Sequence, residues 1–156
     1  MRKQIITDHR VPPSQPPEGS WLELDRIASV ELTSEAEAHP IEAALTGTGE
    51  GWRAGVPGTQ ILRLRFDAPQ RIRRVWLEIE ERGTTRTQEM LLAWAPADGT
   101  LHELVRQRWN FSPDGSTCEK EDYRFDLENV MCLELTLQPD IERNQAVASL
   151  RRLRVA

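Results

Sequence analysis

Three stretches of the chain alternate apolar and polar residues with a period of two. Leu62, Leu64 and Phe66 alternate with Arg63 and Arg65; Val75, Leu77 and Ile79 with Trp76, Glu78 and Glu80; Leu133, Leu135 and Leu137 with Glu134 and Thr136. Successive side chains of a strand point to opposite faces, so each stretch predicts a strand with one face in a core. A slip of one residue would expose a whole apolar face, and the apolar residues just named are therefore expected inside. Asp67 and Pro69, between the first two stretches, are expected to turn the chain. Residues 21–25 (WLELD), 27–33, 86–95, 101–109, 121–127 and 147–155 read as further strands, and Asp98-Gly99 suits a tight hairpin turn. Within SEAEAHPIEAALTG, Pro40 prevents one unbroken helix and leaves at most a turn of helix at PIEAAL before Gly47.

The predicted strands follow one another without long helices between them, which excludes a parallel α/β fold. The fold class predicted is all-β: an antiparallel jelly-roll β-sandwich of about eight strands with little helix. Residues 11–19, VPPSQPPEG, hold four prolines in nine positions, a composition that favours extended chain without a ladder. Residues 1–19 are thus expected to be a flexible proline-rich lead-in of little weight in stability, and residues 20–156 a single domain.

Composition narrows the function classes. Apolar residues make up 38% and charged residues 29% of the 156, as in a soluble globule, and nothing approaches the apolar run of about 18 residues that a membrane helix needs. The apolar stretch near the N-terminus is too short for a signal-peptide core, which points to the cytoplasm and away from a membrane partner. The net charge of −5 repels a phosphate backbone, so nucleic acid is not expected as a partner. Arginine runs at 71–74 and 151–154 are expected on solvated strand faces. Cys118 and Cys132 stand in dissimilar surroundings and are expected to be reduced and unpaired. His9, His39 and His102 have no ligand-like spacing, so neither a metal nor another cofactor is expected.

The segments AALTG, GW, ILRLRFDAPQRIRRVWLEI, LLAWAPADGT and SLRRLRV, in that order, resemble the discoidin, or coagulation-factor C-type, branch of the galactose-binding-domain-like jelly rolls. The resemblance covers roughly residues 20–156 and rests on Trp52 after a small-residue loop, on 62–66, 67–69 and 72–79, and on Asp98-Gly99. These positions are structural, so the resemblance bears on fold more than on function. It implies a non-catalytic binding module, for carbohydrate or for protein. Where the family often carries Asp-Gly beside a calcium-stabilised loop, this chain has Thr46-Gly47, one carboxylate fewer. A second resemblance, to the discoidin-like N-terminal domain of a DNA single-strand-break repair scaffold, gives the alternative of a nucleic-acid-associated scaffold domain.

Candidate sites are few. The loop GTGEG (47–51) is followed by neither a helix nor a Lys-Ser/Thr pair, so it is expected to be a corner that brings Trp52 over the end of the sandwich, not a phosphate cradle. Arg108, Trp109 and Asn110 put a planar cation, an aromatic face and an amide together, a combination that holds a sugar by stacking and hydroxyl hydrogen bonds. With Arg53 they make the candidate ligand-binding rim. The packing alternative is that Trp109 and Phe111 pin the 110–120 loop to the sandwich. Trp76 is out of phase with its apolar neighbours and is expected to face away from the main core, under a loop or on a contact surface. No histidine stands in a recognisable nucleophile motif, and no enzyme activity is expected. The partners expected are a glycan or another protein.

Overall fold

The computed structural model describes residues 20–156; the 1–19 lead-in and its expected small effect on stability lie outside them. The described elements, in order, are α1 (Leu24–Ile27), β1 (Ala28–Leu32), α2 (Ile41–Thr46), β2 (Trp52–Arg53), β3 (Gln60–Glu80), β4 (Arg86–Ala95), β5 (His102–Phe111), β6 (Cys118–Gln138), β7 (Ser149–Leu150) and β8 (Arg152–Val155). All strand pairs are antiparallel.

Two strands of 21 residues each, β3 and β6, organise the sandwich by running through both of its layers. The first half of β3 lies between β1 and the second half of β6, which continues to β4 and then β5. The second half of β3 lies between the first half of β6 and β8. The bend between the halves is marked by register shifts from Arg65 to Arg74 and by Asn129 at φ 57° on β6. Pro69, which has no N–H to give a ladder, falls in this irregular stretch.

Asp67 and Pro69 therefore bend one strand where the sequence predicted a turn between two. Both halves of β3 pair with the same partner, so the chain keeps its direction; a hairpin turn would have reversed it. The bulges also shift the phase, so the inward residues are even-numbered at 62, 64 and 66 and odd-numbered from 75 onward. In the same way 121–127 and 131–138 belong to the single strand β6. WLELD, expected as a strand, contributes instead to the short helical turn α1, which buries Leu24.

The core follows the alternation. Leu62, Leu64, Phe66, Val75, Leu77, Ile79, Leu133, Leu135 and Leu137 are all at most 4% exposed. Each such side chain stabilises the fold by about 1.5–3 kcal/mol relative to exposure. Helix α2 adds Ile41, Ala44 and Leu45 and ends at Gly47, whose φ of 74° lets its N–H reach back to the Ala43 carbonyl. The internal space between Val30, Ile41, Leu62, Val75 and Leu153 is about 20 Å³, room for a water and nothing larger. The core thus offers no ligand cavity.

Trp76 does face away from the main apolar cluster, as its phase predicts, but it is 0% exposed and forms no contact surface. At this point β3 is a central strand, with Asp122 of β6 on one side of Trp76 and Arg154 of β8 on the other. Cys118 and Cys132 are unpaired, Cys118 half-buried and Cys132 buried.

Candidate functional site

The glycine-rich loop is the corner that its sequence predicts. Gly47, Gly49 and Gly51 all have left-handed φ, and a Cβ on Gly51 would lie 2.4 Å from the Leu150 carbonyl oxygen. The loop can therefore lie directly on β7 only with glycine there. The chain then enters β2, where Trp52 pairs with Leu150 and Arg53 with Ser149. Trp52 is 1% exposed, and its indole N–H donates to the Ser34 carbonyl at 3.2 Å. Alternation sends Arg53 to the other side.

On that other side the end of β3 and the turn after it bring Glu80, Glu81, Arg82 and Gly83 opposite Ser149 and Arg151, and together with Glu50 and Arg53 they line a cleft of about 470 Å³. The charges here are unequally engaged. Glu80 receives guanidinium groups from both Arg82 and Arg151. Glu81 pairs with Arg86 at 2.5 Å and accepts the Ser149 hydroxyl. Arg86 also donates both terminal nitrogens to the Val147 carbonyl at 3.3 Å. This pair forms the floor, with side chains 4% and 7% exposed. Burial pulls the Arg86 guanidinium below its usual range; Glu81 opposes that, and the nearby charge of Arg53 adds to it. The side chains of Arg53 and Glu50 have no hydrogen-bond or ion-pair partner among the described residues.

None of Arg108, Trp109 and Asn110 lines this cleft. Trp109 points inward: it is 5% exposed and belongs to the apolar cluster together with Phe111. Its neighbours along β5 point outward and are occupied. Arg108 donates to Glu89 at 2.8 Å, and Asn110 accepts from the Thr87 hydroxyl at 2.7 Å. Arg108, and after it Arg106, hold the Glu89 carboxyl below the usual carboxylate range. The β5 triplet accordingly presents no open aromatic face beside its cation and amide, and the packing alternative describes Trp109.

A second hollow, of about 490 Å³, lies around Arg63, Arg65, Leu101, Met131 and Cys132. Its arginines are already engaged, Arg63 with Glu134 and Arg65 with Glu31. Among the described residues no three His, Cys, Asp or Glu side chains are gathered as metal ligands would be. No helix among them is long and apolar enough to cross a membrane.

No family model matches the chain, and no curated protein sequence matches it. Solved structures do resemble it. One is CpGH89CBM32-5 from Clostridium perfringens in complex with GalNAc-β-1,3-galactose: 15% identity, TM-score 0.62, covering 87% of this chain and 99% of that one. Another is CBM32-3 from a family 31 glycoside hydrolase of Clostridium perfringens: 15% identity, TM-score 0.63, covering 86% and 93%. A third is the family 32 carbohydrate-binding module of Clostridium perfringens NanJ in complex with galactose: 14% identity, TM-score 0.62, covering 86% and 96%. Likeness at this identity speaks to architecture alone. The chain has the antiparallel jelly-roll fold of these carbohydrate-binding modules.

Proposed function

We propose that this domain is a non-catalytic carbohydrate-binding module of discoidin-like type, with its ligand in the cleft between the glycine-rich loop, the end of β3 and β7. The observation that carries the reading is the uncommitted guanidinium of Arg53 in an open polar cleft at the loop rim. A guanidinium presents parallel N–H donors that suit two neighbouring hydroxyl oxygens, and a carboxylate such as Glu50 accepts the hydroxyl protons. A pyranose offers such adjacent hydroxyls. The neighbours' ligands are saccharides too: galactose, GalNAc-β-1,3-galactose and 4,5-unsaturated mannuronic acid. Glu80 and Glu81 are each tied to arginine, so neither is free to act as a general acid or base, which favours binding over hydrolysis.

The test is a glycan array probed with the purified chain, followed by titration of the best ligand against the wild type and Arg53→Ala. Binding of a defined glycan, weakened at least about tenfold by Arg53→Ala, is expected; that is the loss of roughly one charge-assisted hydrogen bond. The melting temperature should stay within a few degrees, because Arg53 has no partner to lose. An array without any bound glycan refutes the proposal.

A further inference from the structure

We infer that the ligand of this cleft carries an oxyanion, a uronate carboxylate or a sulfate ester, and that Arg53 is the residue that selects it. The inference rests on the carbohydrate reading above and adds the substrate class. It comes from comparing which charges of the cleft are satisfied and which are not. Four guanidiniums, of Arg53, Arg82, Arg151 and Arg86, stand in or directly behind the cleft. The inner carboxylates of the lining are Glu80 and Glu81, and Asp140 acts on Arg86 from behind. Glu80 is shared by Arg82 and Arg151, and Glu81 is taken up by Arg86 and the Ser149 hydroxyl. Both anions are thus spent on other cations, and Arg53 is left over.

The position of Arg53 makes this residual charge matter. It is half-buried on β2 beside Ser149, and close enough to Arg86 to disfavour that group's charged form. The two like charges repel, with Glu81 and Asp140 offsetting this at Arg86 and no carboxylate paired to Arg53, and partial burial weakens the screening that would hide the repulsion at a surface. The remaining acid of the lining, Glu50, is exposed in the glycine loop, where water screens it. A neutral sugar could hydrogen-bond to Arg53 but would leave the repulsion in place. An oxyanion meets the guanidinium fork with two of its oxygens in two parallel bonds and relieves it.

The experiment is an NMR titration of the full chain at pH 7 with matched ligands that differ only at C6. The set comprises methyl galactoside, methyl galacturonide and methyl galactoside 6-sulfate, with the corresponding glucose series. An acidic member of a series is expected to bind about tenfold tighter than its neutral counterpart, the difference between a bidentate ion pair and a hydrogen bond from the guanidinium to a neutral hydroxyl. The uronate and sulfate arms identify which oxyanion is preferred. Raising the salt concentration should shrink the advantage, Arg53→Gln should abolish it, and Arg53→Lys, which keeps the charge without the fork, should retain part of it. Dispersed spectra of the two variants verify that they are folded. Equal or tighter binding of the neutral sugars, or an acidic preference unchanged in Arg53→Gln, overturns the inference while the carbohydrate reading stands. Failure of every neutral and acidic sugar to bind overturns both.

Discussion

Trp109→Ala tests whether β5 supplies a binding face or a core anchor. The side chain is 5% exposed, lies directly across from the fully buried Gln88 on β4, and shares its face with the fully buried Phe111. A buried tryptophan removes about 200 Å² from water, which at about 25 cal/mol per Å² gives a loss near 5 kcal/mol on truncation. Partial collapse of the site sets the lower end of the expected range at about 3 kcal/mol. No hydrogen bond contributes to this figure, because the Trp109 indole N–H has no partner. Trp109→Phe consequently keeps most of the packing and removes an unpaired donor, and should cost less than about 1.5 kcal/mol. Trp52 is the control. Its indole N–H does bond, to the Ser34 carbonyl at 3.2 Å, so Trp52→Phe should cost more than Trp109→Phe. Urea unfolding gives the answer as a shift in midpoint at constant slope. A Trp109→Ala loss below about 1 kcal/mol together with lost glycan binding would refute the buried anchor and restore β5 as the ligand face. A cost for Trp109→Phe as large as that for Trp52→Phe would mean that the Trp109 N–H has a partner.

Two further outcomes follow from the charges. Glu81→Ala strands the Arg86 charge in a nearly closed site and should cost about 3–5 kcal/mol in chemical denaturation. Glu80→Ala should cost clearly less, since Arg82 is 78% exposed and Arg151 37% exposed, so equal losses would contradict the burial argument. The Asp122 carboxyl is held below its ordinary range by hydrogen bonds from Arg74. A depressed carboxyl contributes its stability in full above the unfolded value of about 3.9 and loses it as pH falls through the folded one. Asp122→Asn should therefore lower the melting temperature at neutral pH and flatten its fall in acid. Glu119, raised by burial, acts with the opposite sign, contributing most in acid. An acid slope unchanged in Asp122→Asn would remove the Arg74 pair as its cause.

The layers of the fold are legible because alternation is local. Each of the runs at 62–66, 75–79 and 133–137 states which side is buried without reference to the rest of the chain, and every apolar residue named there is buried. What joins the runs is not local. Asp67 and Pro69 have the chemistry of a turn, and whether they reverse the chain or bend it depends on β6, whose partner positions lie more than fifty residues away. The small helices depend on tertiary contacts in the same way. WLELD alternates well enough for a strand, but Leu22 donates to the Val155 carbonyl and the chain closes at once into α1.

The candidate site obeys the same rule. Arg108, Trp109 and Asn110 look like one constellation when read as neighbours, yet a period of two separates the indole from the guanidinium and the amide. Applied to β5 as it was to 75–79, alternation alone would have put Trp109 inside. Its limit appears at Trp76: phase gives the face and says nothing about whether that face is covered, and Trp76 is 0% exposed. Arg53 was within reach of the sequence because it alternates with a tryptophan that the corner had to bury. Its companions were not, since Glu80, Arg82, Ser149 and Arg151 come from distant segments that meet through the pairing of β2 with β7 and of the end of β3 with residues 149–155. Single charged residues at strand ends read as solvated, and nothing in their own neighbourhood says otherwise. Satisfaction of charge, visible only once the pairs are formed, is the property that sets Arg53 apart from the other arginines of this cleft. A ligand for this rim must accordingly offer what the protein's own carboxylates have already given to other arginines.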